Sequence, residues 1–581
     1  MNLIDINIPN DVLLFFNKNK NELSNINHTN KFIFQNTGII NFFEEEKYLF
    51  EFKNIIESSG QLVKEPDRRE YGDFQTNYDL AVRCVKKIKE KNDIFDFIIE
   101  PTCGKGTFII AALAELNDIK EICGIEIYQP YVWETKFNII SFFLKNMFIK
   151  KPTINIIHAN VFNFNFDALA KKAKTLKTLV IGNPPWVTNS ELSSINSQNL
   201  PQKNNFKKHK GFDAITGKGN FDIAEYISLL ILNNFSKNNG YFGFLIKNSV
   251  IKNILFDQKN NKYSIGSIEN YNIDSKKEFN VSVEASFFLT AFNSEPSYSC
   301  IERNIYNNDF KTEFGWVKNN FVHSISDYKS TSDIEGKSPF TWRQGLKHDC
   351  SSIMEFEHHK SQYINALNEI IDIEDDLVYP LLKSSDLKAT TVDTYRKLTI
   401  VTQKKIGDDT LPIKNYYPKT YNYLFSHKDF FEKRKSSIYK GKPSFSIFGI
   451  GDYSFAPYKV AISGMYKTTH FSLLKPMNNK PIMLDDTCYF IGFEDFDCAR
   501  IAHFLLNHEH TQIYLKSIIF SDAKRPITKD VLMRLDLNKI YNLFSKNQIK
   551  QDLGNIENES WEEFGRLLQG DRFEQAQLAL F

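Results

Sequence analysis

Between about Asp96 and Phe292 the chain alternates short runs rich in β-branched and aromatic residues with longer amphipathic stretches. "DFIIE", "EICGIEI", "TINIIHANV", "TLVIGN", "YFGFLIK" and "ASFFLTAF" carry strand character, while "FIIAALAEL" and "FDIAEYISLLILNNF" carry helical spacing. This alternation predicts βαβ units and an α/β fold built on a mostly parallel, doubly wound, Rossmann-like sheet. Sheets of that kind bind ligands beyond the carboxyl ends of their strands. After about residue 300 the regularity is lost in turn-rich stretches such as "SIFGIGDYSFAPYKVAISGMYK", which predict a second domain of mixed α+β character. The segment from Glu557 to Phe581 reads as helical, with Ser560 three residues before Glu563 as a capping box. The polar loop from Ser190 to Gly219 is long enough to be functional or mobile.

A length of 581 residues is too great for one compact core and calls for two or three domains. With 42% hydrophobic and 24% charged residues the composition is that of globular proteins. A formal charge of +2 neither demands nor excludes nucleic acid, so any DNA must be held by local basic patches. The seven cysteines are scattered without a CxxC pair, which predicts neither a zinc cluster nor a disulfide framework, and no metal is expected. The N-terminus lacks a basic region followed by a long apolar one, and no run of eighteen apolar residues occurs. A cytoplasmic protein without a membrane segment is the expectation.

The strand ends then carry the candidate chemistry. The first runs into "EPTCGKGTF", where Gly104 and Gly106 allow a tight turn and close approach of a ligand to the backbone. Ile109 stands where a dinucleotide fingerprint needs a third glycine, so the turn by itself reads equally as an ordinary βα connection. The second strand ends in Glu126, about twenty residues on, placed to accept hydrogen bonds from the hydroxyls of a ribose. The third ends in "HANVF", where Asn160 either meets an adenine amino group or forms a turn. The fourth ends in "NPPW". Asn183 offers a side-chain oxygen to an exocyclic amine, and Pro184, with no N–H and a fixed φ, helps aim a backbone carbonyl at the same group. Trp186 offers a face for an extruded base, which would leave its indole accessible from solvent.

Taken together these residues resemble the S-adenosylmethionine-dependent amino-methyltransferases, and their order resembles the γ-class of DNA adenine-N6 methyltransferases. "YGDFQTN" resembles the opening motif of that class, which implies that Phe74 and Thr76 border the methionine part of the cofactor, with Asn77 in place of the usual proline. "EPTCGKGTF" resembles D-P-A-C-G-S-G-x-F, so the resemblance puts Glu100, Pro101, Cys103, Gly104 and Gly106 around the cofactor, with Glu100 near its amine and Lys105 replacing a small residue. It likewise assigns Glu126 and Ile127 to the ribose side, and Asn160 and Val161 to the adenine side, with Asn160 where an acid is common. Asn183, Pro184, Pro185 and Trp186 fall on the catalytic motif, and "KKEFNVSVEASFFLTAF" on the late motif whose aromatic, Phe279 here, faces Trp186 across the target base.

The organisation this implies is an N-terminal, largely helical segment at 1–70 packing on a methyltransferase domain at 71–300, a target-recognition domain at 301–545 and a helical tail at 546–581. The implied activity is methyl transfer from S-adenosyl-L-methionine to N6 of a flipped adenine in double-stranded DNA. An RNA adenine methyltransferase, a protein glutamine methyltransferase and a non-catalytic DNA-binding subunit are the alternatives. The large second domain favours a reader of duplex DNA, and the intact "NPPW" disfavours a subunit without activity. No nuclease pattern of Asp, Glu and Lys spacing stands at either end, which disfavours a fused restriction-modification enzyme and leaves room for a separately encoded restriction endonuclease as a partner. Candidate DNA contacts are Lys207, Lys208 and Lys210 in the long loop, and Arg343, Gln344, Lys347, Lys459, Lys524 and Arg525 in the second half.

Overall fold

Strand β1 (Phe97–Glu100) is buried along its whole length, as a parallel strand covered on both faces must be. The computed structural model describes residues 6–57, 75–188, 222–359, 362–520 and 525–569. It divides into two units, Met1–Phe321 and Val322–Phe581.

The first unit is organised around one ten-stranded sheet. Its strands are β1, β2 (Glu121–Glu126), β3 (Thr153–His158), β4 (Thr178–Gly182), β5 (Gly240–Lys247), β6 (Ile265–Asn272), β7 (Ala285–Phe292), β8 (Ser299–Asn304), β9 (Phe310–Val317) and β10 (Asn320–Val322). They lie in the order β10-β9-β8-β6-β7-β5-β4-β1-β2-β3. The strands from β3 to β5 pair in parallel, and β7 inserts antiparallel between β5 and β6. Because β2 and β3 are laid down on one side of β1, and β4 and β5 on the other, the chain reverses direction between β1 and β4. That reversal opens a crevice at their carboxyl ends.

An N-terminal group of helices, α1 (Asn10–Lys18), α2 (Ile26–Thr37) and α3 (Glu46–Glu57), precedes α4 (Tyr78–Lys89). Helices α5 (Thr107–Glu115) and α6 (Gln129–Lys145) follow β1 and β2. Both α1 and α2 pack on α6, which is why that helix buries aromatic residues on its outer side. Trp133 and Phe137 meet Phe42 at 5.7 and 5.4 Å, and Phe137 stacks on Phe52 at 5.5 Å between ring centres. Lys136, 2% exposed, donates to the Phe42 carbonyl at 2.9 Å. Burial lowers its pKa to about 8.

The sequence reading ends the first domain near residue 300. Instead β8 pairs with β6 and β9 with β8, so the sheet continues and the division falls after Phe321.

The second unit holds a six-stranded and a five-stranded sheet. The first has the order β14 (Ile370–Ile371), β13 (Gln362–Asn365), β12 (Glu355–His359), β17 (Lys397–Ile400), β15 (Val378–Leu382) and β20 (Met483–Leu484). The second has the order β11 (Arg343–Gln344), β21 (Cys488–Phe493), β18 (Tyr458–Ser463), β19 (Ser472–Leu474) and β16 (Thr391–Val392). Helix α9 (Phe496–Asn507) packs on β18, β19 and β21. The last described helix, α10 (Asn558–Leu568), is not opened by a Ser560–Glu563 box. Its N-cap is Glu557 and Ser560 lies buried inside it. A capping box does occur one helix earlier, where Ser545 and Gln548 cap Lys546–Leu553 reciprocally. Among the described residues no helix is long and apolar enough to cross a membrane.

Candidate active site

The crevice at the carboxyl ends of β1 and β4 forms an open cleft. It brings together Thr76, Glu100, Pro101, Cys103, Gly104, Glu126, Ile127, Asn160, Val161, Asn183, Pro184 and Pro185, all singled out from the sequence. Phe74, Lys207, Lys208, Lys210 and Lys524 lie outside the described residues.

The turn after β1 depends on two left-handed glycines, Gly104 at φ +52° and Gly106 at φ +79°. Gly106 does not line the cleft. It lets α5 begin against α6, since a Cβ there would meet Thr135 Cγ2 at 2.7 Å. Thr135 Oγ1 in turn donates to the Gly104 carbonyl at 2.7 Å. Lys105 points away into an ion pair with Glu134 at 3.1 Å, above the Tyr131 ring, so this side chain does not fill the turn.

Two carboxylates lie side by side at the ends of β1 and β2. Glu126 accepts the main-chain N–H of Gly104 with one oxygen and that of Tyr128 with the other, each at 2.8 Å. These donors fix its plane, and carboxylate oxygens with two lone pairs can accept further hydroxyls. Glu100 is 2% exposed, and its Oε2 has no hydrogen-bond partner among the described residues, nor has Thr102 Oγ1 beside it. Burial pushes the Glu100 pKa well above the ordinary carboxylate value; an N–H from Ile109 opposes the shift and the neighbouring charge of Glu126 adds to it. A buried oxygen without a donor, in a carboxyl held partly against ionisation, fits a cationic group.

At the end of β3 the side-chain oxygen of Asn160 accepts the Phe162 N–H at 2.9 Å, and its carbonyl accepts the Asn163 N–H at 3.1 Å. The turn-forming geometry is therefore realised, at a residue that also lines the cleft.

At the end of β4 the amide nitrogen of Asn183 donates to Thr76 Oγ1 at 3.1 Å. With that end of the amide held, the other is set as the acceptor. Pairing of β4 with β5 stops at Gly182 opposite Phe244, because Pro184 and Pro185 have no N–H to continue it. Trp186 is not left open to water: it is 4% exposed, and its Nε1 donates to the Leu245 carbonyl at 3.1 Å. Its ring meets Phe279 edge to face, 5.0 Å between centres. The two aromatics expected to flank a base are thus in contact, a spacing that admits no base between them. Immediately beyond, Thr188 bridges Asp222, and the Asp222 carboxylate caps α7 (Ile223–Phe235) and pairs with Lys247 at 2.8 Å.

Gln75, Thr102, Tyr128, Tyr131 and Phe162 also line the cleft and were not singled out. Tyr128 and Phe162 stand two residues after Glu126 and Asn160 respectively, so a search for aromatics just past each strand end would have found them.

The second-unit candidates separate. Lys459 is 1% exposed and donates to the Ala456 carbonyl at 2.6 Å, with its pKa lowered by burial to about 7. It cannot meet DNA. The turn-like "APYK" leads into β18, an interior strand between β21 and β19, and the lysine is enclosed with it. Arg343 lies over the Tyr453 ring at 4.6 Å, and Lys347 is 3.5 Å from Asp349. Gln344 and Arg525 both donate to the Asp486 carbonyl, at 2.5 and 3.0 Å.

All seven cysteines are buried thiols, and no group of three or more His, Cys, Asp or Glu residues suited to a metal occurs among the described residues. No protein-family model matches the chain. It is 38% identical over 478 residues to the Type II methyltransferase M.NspV of Nostoc sp., an alignment covering 81% of this chain and 97% of that protein. Among solved structures it resembles the Type IIL restriction-modification enzyme MmeI in complex with DNA, at 11% identity and a TM-score of 0.44, covering 86% of this chain and 76% of that one. It also resembles the type IIG restriction endonuclease BpuSI, at 11% identity and a TM-score of 0.34, covering 87% and 65%.

Proposed function

The chain belongs to the Type II methyltransferases, and from that membership we propose that it methylates N6 of an adenine drawn out of double-stranded DNA, with S-adenosylmethionine as methyl donor. The observation that carries the reading is the clamp of Thr76 on Asn183 in the cleft that Glu100 and Glu126 also line.

The cofactor fits the residues present. Glu100 would take its ammonium group, meeting the unpartnered buried oxygen. Glu126, already set by two main-chain donors, would take the ribose hydroxyls, and Ile127, Tyr128, Val161 and Phe162 offer apolar and aromatic surface to its base. When bound, S-adenosylmethionine supplies a methyl group on a sulfonium sulfur, a strong electrophile, so the protein's task is positioning and charge stabilisation.

That task falls to Asn183 and the Pro184 carbonyl. Two acceptors on one exocyclic amine hold its hydrogens and direct the nitrogen lone pair out of the base plane. The same oxygens stabilise the positive charge that develops on nitrogen. Trp186 and Phe279 would have to part to receive the base, with stacking on either ring holding it.

DNA would be gripped through phosphates by the exposed lysines Lys433, Lys435, Lys440 and Lys442, none of which has an acidic partner within 4.0 Å among the described residues. Arg434, in their midst, is spent on the carbonyls of Phe431, His348 and Ser446 and stacks on Tyr439, which anchors the run at that residue. Arg343, Gln344, Lys347 and Arg525 remain the candidates for reading base edges, and a separately encoded endonuclease is the expected companion. Base-resolution methylation mapping of DNA from cells expressing this chain is the test: N6-methyladenine at one short sequence is expected, and methylcytosine or unmodified DNA would overturn the reading.

A further inference from the structure

Thr76 and Asn77 are adjacent in the chain, and each holds a different part of the candidate catalytic machinery. The Thr76 hydroxyl accepts from Asn183. The Asn77 side-chain nitrogen donates to Glu278 Oε2 at 2.5 Å, while its oxygen caps α4 by accepting the Leu80 N–H at 2.8 Å. Glu278 lies in the short helix α8 (Ser275–Phe279), one residue before the aromatic that meets Trp186. Its second oxygen accepts the Tyr306 hydroxyl at 2.8 Å, and Tyr306 in turn accepts the Asp274 N–H at 3.2 Å. Burial raises the Tyr306 pKa to about 12, so the hydroxyl remains a donor.

The contacts close a circuit. From Thr76 it runs to Asn183, along the two prolines to Trp186, across to Phe279, back one residue to Glu278 and so to Asn77. Because consecutive Cα atoms are held about 3.8 Å apart by a rigid peptide, the acceptor asparagine and the stacking aromatic are registered against each other through one peptide unit. The proline that the resembling motif carries at position 77 has no side-chain donor and could not make this link.

We propose that Asn77 and Glu278 are positioning residues that set the placement of Phe279 relative to Asn183 and thereby govern capture of the target base. The inference rests on the adenine-methylation reading. Asn77→Asp keeps the helix cap but replaces the donor with a carboxylate facing Glu278. Adding Glu278→Gln restores a donor and acceptor pair with its direction reversed and still accepts from Tyr306.

The measurements are turnover on duplex DNA, S-adenosylmethionine affinity, and fluorescence of 2-aminopurine placed at the adenine that methylation mapping identifies. N77D is expected to lose at least about tenfold in kcat/KM for DNA and most of the fluorescence rise on binding, with cofactor affinity within about twofold of wild type. The double variant N77D/E278Q is expected to recover most of both. N77D behaving as wild type, or a double variant no better than N77D, would overturn the coupling while leaving the methylation reading intact. A wild-type chain that methylates no DNA would remove that reading, and this inference with it.

Discussion

The indole N–H of Trp186 donates to the Leu245 carbonyl at 3.1 Å, one residue past the last pair of the β4–β5 ladder. The side chain thus supplies the hydrogen bond that two prolines withhold, and the strand ends without leaving a buried carbonyl unpaired. Trp186→Phe keeps an aromatic face but strands that carbonyl, at a cost of about 1 to 3 kcal/mol. It should retain methyl transfer with lowered thermal stability, whereas Trp186→Ala should lose both. Paired melting and turnover measurements check this; an inactive Trp186→Phe of unchanged stability would assign the indole N–H to substrate instead.

On the proposed function, the clamp of Thr76 on Asn183 sets the target-amine side of the cleft apart from the cofactor side. Asn183→Ala should abolish transfer with cofactor affinity nearly intact, and Thr76→Val should reduce transfer by freeing the amide to rotate. Glu126→Ala should act on the cofactor, weakening it by roughly 1.5 to 3 kcal/mol as expected for a charged hydrogen bond. Calorimetric titration distinguishes them. Equal loss of cofactor affinity in Asn183→Ala and Glu126→Ala would contradict the division.

Glu100 carries a pH signature. Burial holds its native pKa well above the ordinary value, so in the unliganded protein the native state keeps a proton that the unfolded chain has already lost. Stability of the unliganded protein should therefore fall as pH rises from the ordinary carboxylate value to the raised one, and level off beyond it. A cationic ligand favours the ionised carboxyl, so cofactor affinity should rise with pH across the same window and binding should release a proton. Melting and calorimetry from the ordinary carboxylate value upward, in buffers of different ionisation enthalpy, test both. Glu100→Gln should flatten both profiles, and a wild-type profile already flat would contradict the assignment.

Much of this site was legible because doubly covered parallel strands are continuous apolar runs, so the polar residue that ends each run is conspicuous. Glu100, Glu126 and Asn183 were found that way. Gln75 and Thr102 were not, since a polar residue in a connection looks like any other turn until the fold shows what it lines. Past residue 300 the signal weakens for a physical reason. Strand β8 is buried at Cys300 and only partly so at its other positions, so "SCIERN" lacks the apolar run that marks the inner strands, and the sheet's continuation was missed. Ser560 and Glu563 matched a capping pattern, but α10 is placed by Trp561 and Phe564, which pack against Tyr541, and this register draws Ser560 inside. Lys459 misled because "APYK" looks like a turn when read without the sheet that encloses it.

With Lys459 enclosed, DNA would have to be held by lysines that face solvent. Lys433, Lys435, Lys440 and Lys442 are exposed, and Arg434, between the first two, is tied to the carbonyls of Phe431, His348 and Ser446, which flank the run. Charges so placed gain little by interacting with the protein itself, but each can neutralise a phosphate and release a counterion. Each such contact steepens the salt dependence of binding by about 0.9 in the log–log slope. Changing all four to glutamine should weaken binding to every duplex alike and flatten that slope by up to about 0.9 for each lysine engaged, while leaving the ratio between the recognised and unrelated sequences unchanged. Stability should hardly move, because none of the four has an acidic partner to lose. A slope identical to wild type would remove this surface from the interface. A changed sequence preference with an unchanged slope would mean that these lysines reach base edges and not phosphates.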